Sequence, residues 1–345
     1  MNKKLKLDCL CNDGSPLGVS LNDIYGTGSK VGVGGAELAL LTMCEAWHDA
    51  GHSVRLYNNP TDLNGSPFEQ LPIDDFNPQD DRDVVIVFRS PNPRVAGSKG
   101  KKIWWSTDQF TVGSFGDFAP QMDKIVTISP FHAEHFLRIY GIRDTVTIDL
   151  PVRTWDYANK LDKVEHRMIF CSVPDRGLGI LSLAYPLIKR HVPDASLVIT
   201  SDYRLWGVAE PRNDGWVQQF LGVDDVRFLG AIPRSQMVKE QLMADVQAYP
   251  CSYDELFCYS VAECQVAGAY PVTSMFGALV TTNMGKQLGG DYRDGYHQVE
   301  TFAGGVIETL LNPNLKEMQD EVQKKALERF SLKKIMLDWD KLLYD

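Results

Sequence analysis

No apolar run in the 345 residues approaches the roughly 18 needed to cross a bilayer, so a membrane-spanning helix is not expected. Cysteines number seven, odd for so long a chain, and no Cys-x-x-Cys occurs. A disulfide framework is therefore excluded as the organising device, and a zinc or redox pair has no sequence signature. Positive charge is in deficit: 35 Lys and Arg face 45 Asp and Glu, a formal net charge of −10. Gripping nucleic acid through its phosphates needs a basic face, which argues against that class and leaves only a local basic groove for DNA. The start, Met1–Asp8, has a basic cluster, but Asp8 interrupts what would be a signal peptide's apolar core. A cytoplasmic protein is expected.

The remaining candidates for metal chemistry are sparse. Cys9 and Cys11 fall on one strand, and Cys44, Cys171, Cys258 and Cys264 read as small apolar fillers. His132 and His135 are spaced i, i+3 with no third ligand nearby, and read as ordinary surface or half-buried residues. No metal site is expected.

What is present is a globular composition, 44% hydrophobic and 23% charged, in a chain long enough for two domains. Apolar runs alternate with amphipathic stretches. Lys4–Cys11, Val54–Tyr57, Val84–Phe88, Ile103–Trp105 and Ile125–Ile128 read as strands. Ala36–Ala50 reads as a helix stopped by Gly51, and Ser129 caps another with Pro130 at its first position. After Pro151 and a polar stretch from Tyr157 to Arg167, taken as the inter-domain linker, the pattern restarts at Met168–Cys171. Leu178, Leu181, Tyr185, Ile188 and Val192 follow at helical spacing, with Pro186 expected to kink that helix. Strands follow at Ser196–Thr200, Val226–Leu229, Val246–Tyr249 and Tyr270–Thr273. A final helix, Leu332–Leu343, has Ile335, Leu337, Trp339 and Leu342 as its apolar side. The fold class is α/β, with two open parallel sheets covered by helices: residues 1–152, residues 165–330, and a closing helix over 331–345.

Two constellations carry chemistry. Gly26-Thr27-Gly28 through Gly32-Val33-Gly34-Gly35 opens a helix at Ala36-Glu37. Glycines there let a ligand approach backbone N–H groups at a helix start, but the pattern is not a dinucleotide fingerprint. The alternative is a flexible loop closing a sheet end. The second constellation, Glu255-Leu256-Phe257-Cys258-Tyr259-Ser260-Val261-Ala262-Glu263, places two carboxylates eight positions apart around a helix start, after a parallel strand. Carboxylates accept hydrogen bonds from vicinal hydroxyls, and the amides between them suit a diphosphate. Two solvated acids at a helix start are the plainer reading.

The stretch Glu255–Glu263, continuing Gln265-Val266-Ala267-Gly268-Ala269-Tyr270-Pro271-Val272, resembles the E-x7-E region of family 4 of the retaining glycosyltransferases. Gly34-Gly35-Ala36-Glu37, Ser172-Val173-Pro174-Asp175-Arg176-Gly177-Leu178 and Phe276-Gly277-Ala278-Leu279 resemble three further family motifs in the same order. The resemblance implies the GT-B fold, two Rossmann-like domains facing a cleft with a last helix packing back on the first. It implies transfer of a sugar from a nucleotide-diphosphate donor to an acceptor hydroxyl with retained configuration, with no cofactor and no metal. Residues 1–152 would be the acceptor side and residues 165–330 the donor side. Catalytic roles would fall to Asp108, Arg176 and Glu255. Gly34, Gly35, Ser172, Arg176, Glu255, Phe257, Cys258, Tyr259, Ser260 and Glu263 would bind the donor, with Glu263 on the ribose.

Family members often have a basic residue where Phe170-Cys171-Ser172 stands, and a histidine where Ser106-Thr107-Asp108 stands. Arg176 would therefore act alone or with Arg204 or Arg234, and Asp108 would orient the acceptor or sugar. The partner is a nucleotide sugar. The acceptor is a saccharide, a small molecule or a modified DNA base. A nucleotide-sugar-binding protein without turnover is the reading of another class. Trp104, Trp105 and Phe110 offer either a stacking platform or buried core, and Lys99–Lys102 reads as a solvated turn.

Overall fold

The computed structural model describes residues 3–11, 18–25, 32–60, 66–109, 112–206 and 211–345. Gly26, Gly28 and Phe110 lie outside the described residues. Two compact units emerge: Val33–Pro151 with the amino-terminal segment and Leu332–Asp345, and Val152–Ser331.

The first unit contains β1 (Lys6–Leu10), β2 (Ser53–Tyr57), β3 (Glu69–Leu71), β4 (Val84–Phe88), β5 (Lys101–Trp105), β6 (Lys124–Thr127) and β7 (Thr145–Thr147). All pair in parallel, in the order 3-2-1-4-5-6-7. Side chains alternate between two buried faces, as helices on both sides of a parallel sheet require. Trp104 faces one core, edge-on to Phe115 and Phe118. Trp105 faces the other, against Phe88, Trp47 and Trp339. Both indoles are fully buried, so neither is a stacking platform. The final helix, Leu332–Tyr344, belongs to this unit and buries Ile335, Trp339, Leu342 and Leu343. Leu337 does not share that face and is exposed, because two residues turn a helix by about 200°. Lys101, read as part of a solvated turn, opens β5 and donates to the Leu342 carbonyl at 2.7 Å.

The second unit contains β8 (Arg167–Phe170), β9 (Ser196–Ile199), β10 (Val226–Phe228), β11 (Val246–Tyr249), β12 (Tyr270–Ser274) and β13 (Lys286–Leu288). These are also parallel, in the order 10-9-8-11-12-13. Met168 and Phe170 join one core with Leu197 and Ile199, while Ile169 and Cys171 join the other with Val198. The helix Leu178–His191 runs through Pro186. The stretch read as a linker packs onto this unit: the buried Tyr157 donates to Gln241 at 2.6 Å, and the Val164 amide donates to Met243 O. Between these anchoring bonds most of the stretch is exposed, in keeping with its polar sequence. No described helix is long and apolar enough to cross a membrane.

Candidate active site

In a doubly wound sheet, the loops leaving the carboxyl ends of the strands part at the point where the strand order reverses, and ligands bind there. In the second unit that point lies between β8 and β11. The turn after β8 carries Ser172 and Arg176; the loop after β11 carries Pro250 to Cys258 and leads into the helix Tyr259–Val266. A glycine allows the two to meet. Gly177 has φ +106°, and a Cβ on it would collide with the carbonyl of Pro250.

Five side chains converge at this point. The Tyr249 hydroxyl donates to Glu255 Oε1 at 2.7 Å. Ser172 Oγ lies 3.3 Å from the Tyr249 oxygen. Arg176 Nε lies 3.3 Å from the same Glu255 Oε1. The Arg176 guanidinium stacks on the Tyr253 ring, 3.3 Å from its centroid. Burial pulls the Arg176 pKa down, and Glu255 and neighbouring tyrosines more than offset it, so Arg176 stays charged. The Glu255 backbone is fixed as well: Ala278 N donates to its carbonyl at 2.7 Å, across a tight turn at Gly277 (φ +55°).

The helix that follows has Cys258 at its start in the left-handed region (φ 67°), with no side-chain cap. Its first N–H groups have no partner within the helix and carry partial positive charge. The side chains of Phe257, Cys258 and Tyr259 are buried, so these positions can serve a ligand only through backbone amides, together with half-buried Ser260. Burial raises the Cys258 thiol well above its usual range and Cys251 to about 12, which leaves both inert as nucleophiles.

Glu263 is not in this cluster. It is buried, ion-paired with Arg234 and 3.4 Å from the Gln241 amide nitrogen. Arg234 also donates to Asp156 at 3.0 Å and to Tyr157 at 3.2 Å. Arg204 is likewise occupied, bonded to Asp202. Both arginines read as auxiliary cations are thus committed to carboxylates. Tyr249 and Tyr253 were missed in the sequence because each reads as a core aromatic. Their hint was position, at and just beyond a strand's carboxyl end.

In the first unit the corresponding reversal lies between β1 and β4. Gly34 and Gly35 open the helix Gly35–Asp49, whose Glu37 pairs with Arg89, the residue after β4 held at φ 67°. Asp108 follows β5 at the same end of the sheet, its Oδ1 accepting from Gln109 N at 2.7 Å. His132 is buried rather than superficial: its Nδ1 accepts from Ile128 N at 3.3 Å, and burial pushes its pKa down to about 3. The seven cysteines are all buried thiols, consistent with filler roles. Among the described residues, no three His, Cys, Asp or Glu side chains cluster as a metal ligand set.

No protein-family model and no curated protein matches the chain. Solved structures do. Sucrose-phosphate synthase from Thermosynechococcus elongatus superposes with a TM-score of 0.72 at 16% identity, covering 98% of each chain. A glycosyltransferase from Rickettsia africae gives 0.73 at 14%, covering 99% of this chain and 98% of its own. HepE of Anabaena, solved with UDP and glucose, gives 0.69 at 14%, covering 99% of both. At these identities the likeness establishes the architecture: the chain has the GT-B glycosyltransferase fold.

Proposed function

We propose that the protein is a glycosyltransferase that takes a sugar from a nucleotide-diphosphate donor and passes it to an acceptor hydroxyl with retained configuration. The observation that carries this reading is the convergence of Ser172, Arg176 and Glu255 at the strand-order reversal of the second sheet, beside an uncapped helix start. The GT-B fold and a neighbour solved with UDP and glucose support it.

Each element then has a task. Amides from Phe257 to Ser260 meet the diphosphate, and Arg176 stabilises the charge that grows on the leaving nucleoside diphosphate. Because one rigid guanidinium and oriented amides neutralise that charge, no bound metal is required. Glu255 accepts a hydroxyl of the donor sugar. Glu263, fixed by Arg234, is assigned to the ribose, since a bonded carboxylate oxygen still has a second lone pair. Gly34 and Gly35 are assigned to the donor phosphates or the acceptor, and Asp108 to orienting the acceptor or sugar.

The test is release of nucleoside diphosphate from UDP-, GDP-, ADP- and dTDP-sugars without acceptor, with UDP-sugars tried first. One donor should be hydrolysed slowly, equally well with and without EDTA. Arg176→Ala should lower that rate about 100-fold and change donor KM far less, the pattern of an interaction made in the transition state. No hydrolysis and no thermal stabilisation by any of the four nucleoside diphosphates would overturn the assignment.

A further inference from the structure

Every bond that the structure gives the Glu255 carboxylate goes to one oxygen. Tyr249 and Arg176 both address Oε1, and Cys251 Sγ lies 4.0 Å from that same atom. Among the described residues nothing bonds Oε2, and the side chain is 17% exposed. A carboxylate held by one oxygen presents the other in a defined direction. Resting on the donor-site reading above, we propose that Tyr249 is a positioning residue. Its hydroxyl locks Glu255 Oε1 so that Oε2 alone meets a hydroxyl of the donor sugar.

Tyr249 is built for this. It ends β11, its ring is fully buried against Phe170, and only its hydroxyl reaches the loops. Since a carboxylate can only accept, Tyr249 is the donor in that bond, and Ser172 must then donate into the tyrosine oxygen. The result is a directed chain, Ser172 to Tyr249 to Glu255, that spans the two loops flanking the strand-order reversal. Burial holds the phenol pKa well above its ordinary value, so the donor proton stays in place across physiological pH. Arg176 makes the longer contact to the carboxylate, 3.3 Å from Oε1, and stacks on Tyr253. The phenol supplies the short bond that defines the plane.

The test uses the full chain and the donor it hydrolyses, comparing wild type with Tyr249→Phe, Glu255→Gln and the double variant. The Phe ring keeps the packing against Phe170, so the fold survives and the melting temperature moves little. Tyr249→Phe should lower kcat about tenfold, the effect of losing a hydrogen bond to a charged group, with affinity for free nucleoside diphosphate unchanged. In the Glu255→Gln background the same substitution should cost less than about twofold, because the two residues act as one unit. Full activity of Tyr249→Phe, or losses that simply multiply in the double variant, would overturn the positioning role. A wild-type chain that neither hydrolyses nor binds any donor would bring down the donor-site reading itself, and this inference with it.

Discussion

At the scale of single residues, two buried positions make firm demands. Gly177 sits at φ +106° under the Pro250 carbonyl, so Gly177→Ala meets both backbone strain and a collision. We expect about 2–3 kcal/mol of lost stability in urea unfolding, with weakened nucleoside diphosphate stabilisation, since the turn carries Arg176. His132 makes the second demand. Its folded pKa is depressed to about 3, chiefly by burial and further by neighbouring His135, so the unfolded chain binds the extra proton. Stability attributable to His132 is therefore intact above the unfolded pKa near 6.5 and declines as pH falls towards 3. Relative to His132→Asn, wild type should lose about 2 kcal/mol between pH 7 and 5, readable from urea midpoints. Equal pH slopes for the two would refute it. Residues were unevenly legible in the sequence. Glu255 and Arg176 announced themselves as charges flanking loop motifs, whereas Tyr249 hid its single polar atom behind a core ring. Trp104 and Trp105 were ambiguous, readable as a stacking platform or as core, and strand alternation buries each on its own face.

Among elements, the helix Leu332–Tyr344 has the most consequential packing. Trp339 meets Trp47 at 5.2 Å and Trp105 at 5.1 Å between ring centroids, all three fully buried. Trp339→Ala should cost about 3–5 kcal/mol and shift the tryptophan emission to the red as water reaches Trp47 and Trp105. A variant as stable as wild type would mean that the helix is not part of the core. Long buried strands such as β4 were plain from their β-branched runs. The short edge strands β3 and β13 were not, since three residues carry too little period to separate from loop. Leu337 shows the limit of reading a helix by hydrophobicity alone: four apolar residues suggested one side, and geometry admits only three.

At the scale of the molecule, the two sheets repeat one winding order, and the sequence showed this as a pattern that restarts after residue 151. Periodicity and composition could not show where the first unit closes, because that depends on contacts between residues some 300 positions apart; the family resemblance alone returned the last helix to the first unit. Apart from residues 30–32, the second unit is a single run of sequence whose ends are neighbours: Val152 bridges Ser331, and its amide donates to Phe330 O at 2.9 Å. A fragment spanning 152–331 should therefore fold cooperatively and still be stabilised by the nucleoside diphosphate of the preferred donor; loss of the cooperative transition on excision would count against an autonomous unit.

The placement of Trp339 also sets an order of events during synthesis. Domains commonly fold in the order in which they leave the ribosome. Here the first-made strands cannot finish, because Trp47 and Trp105 wait uncovered for a helix that emerges only after residue 331. The later-made half reaches its full complement of contacts sooner. The nascent chain completes itself from the middle outward, and its oldest segment is the last to become watertight.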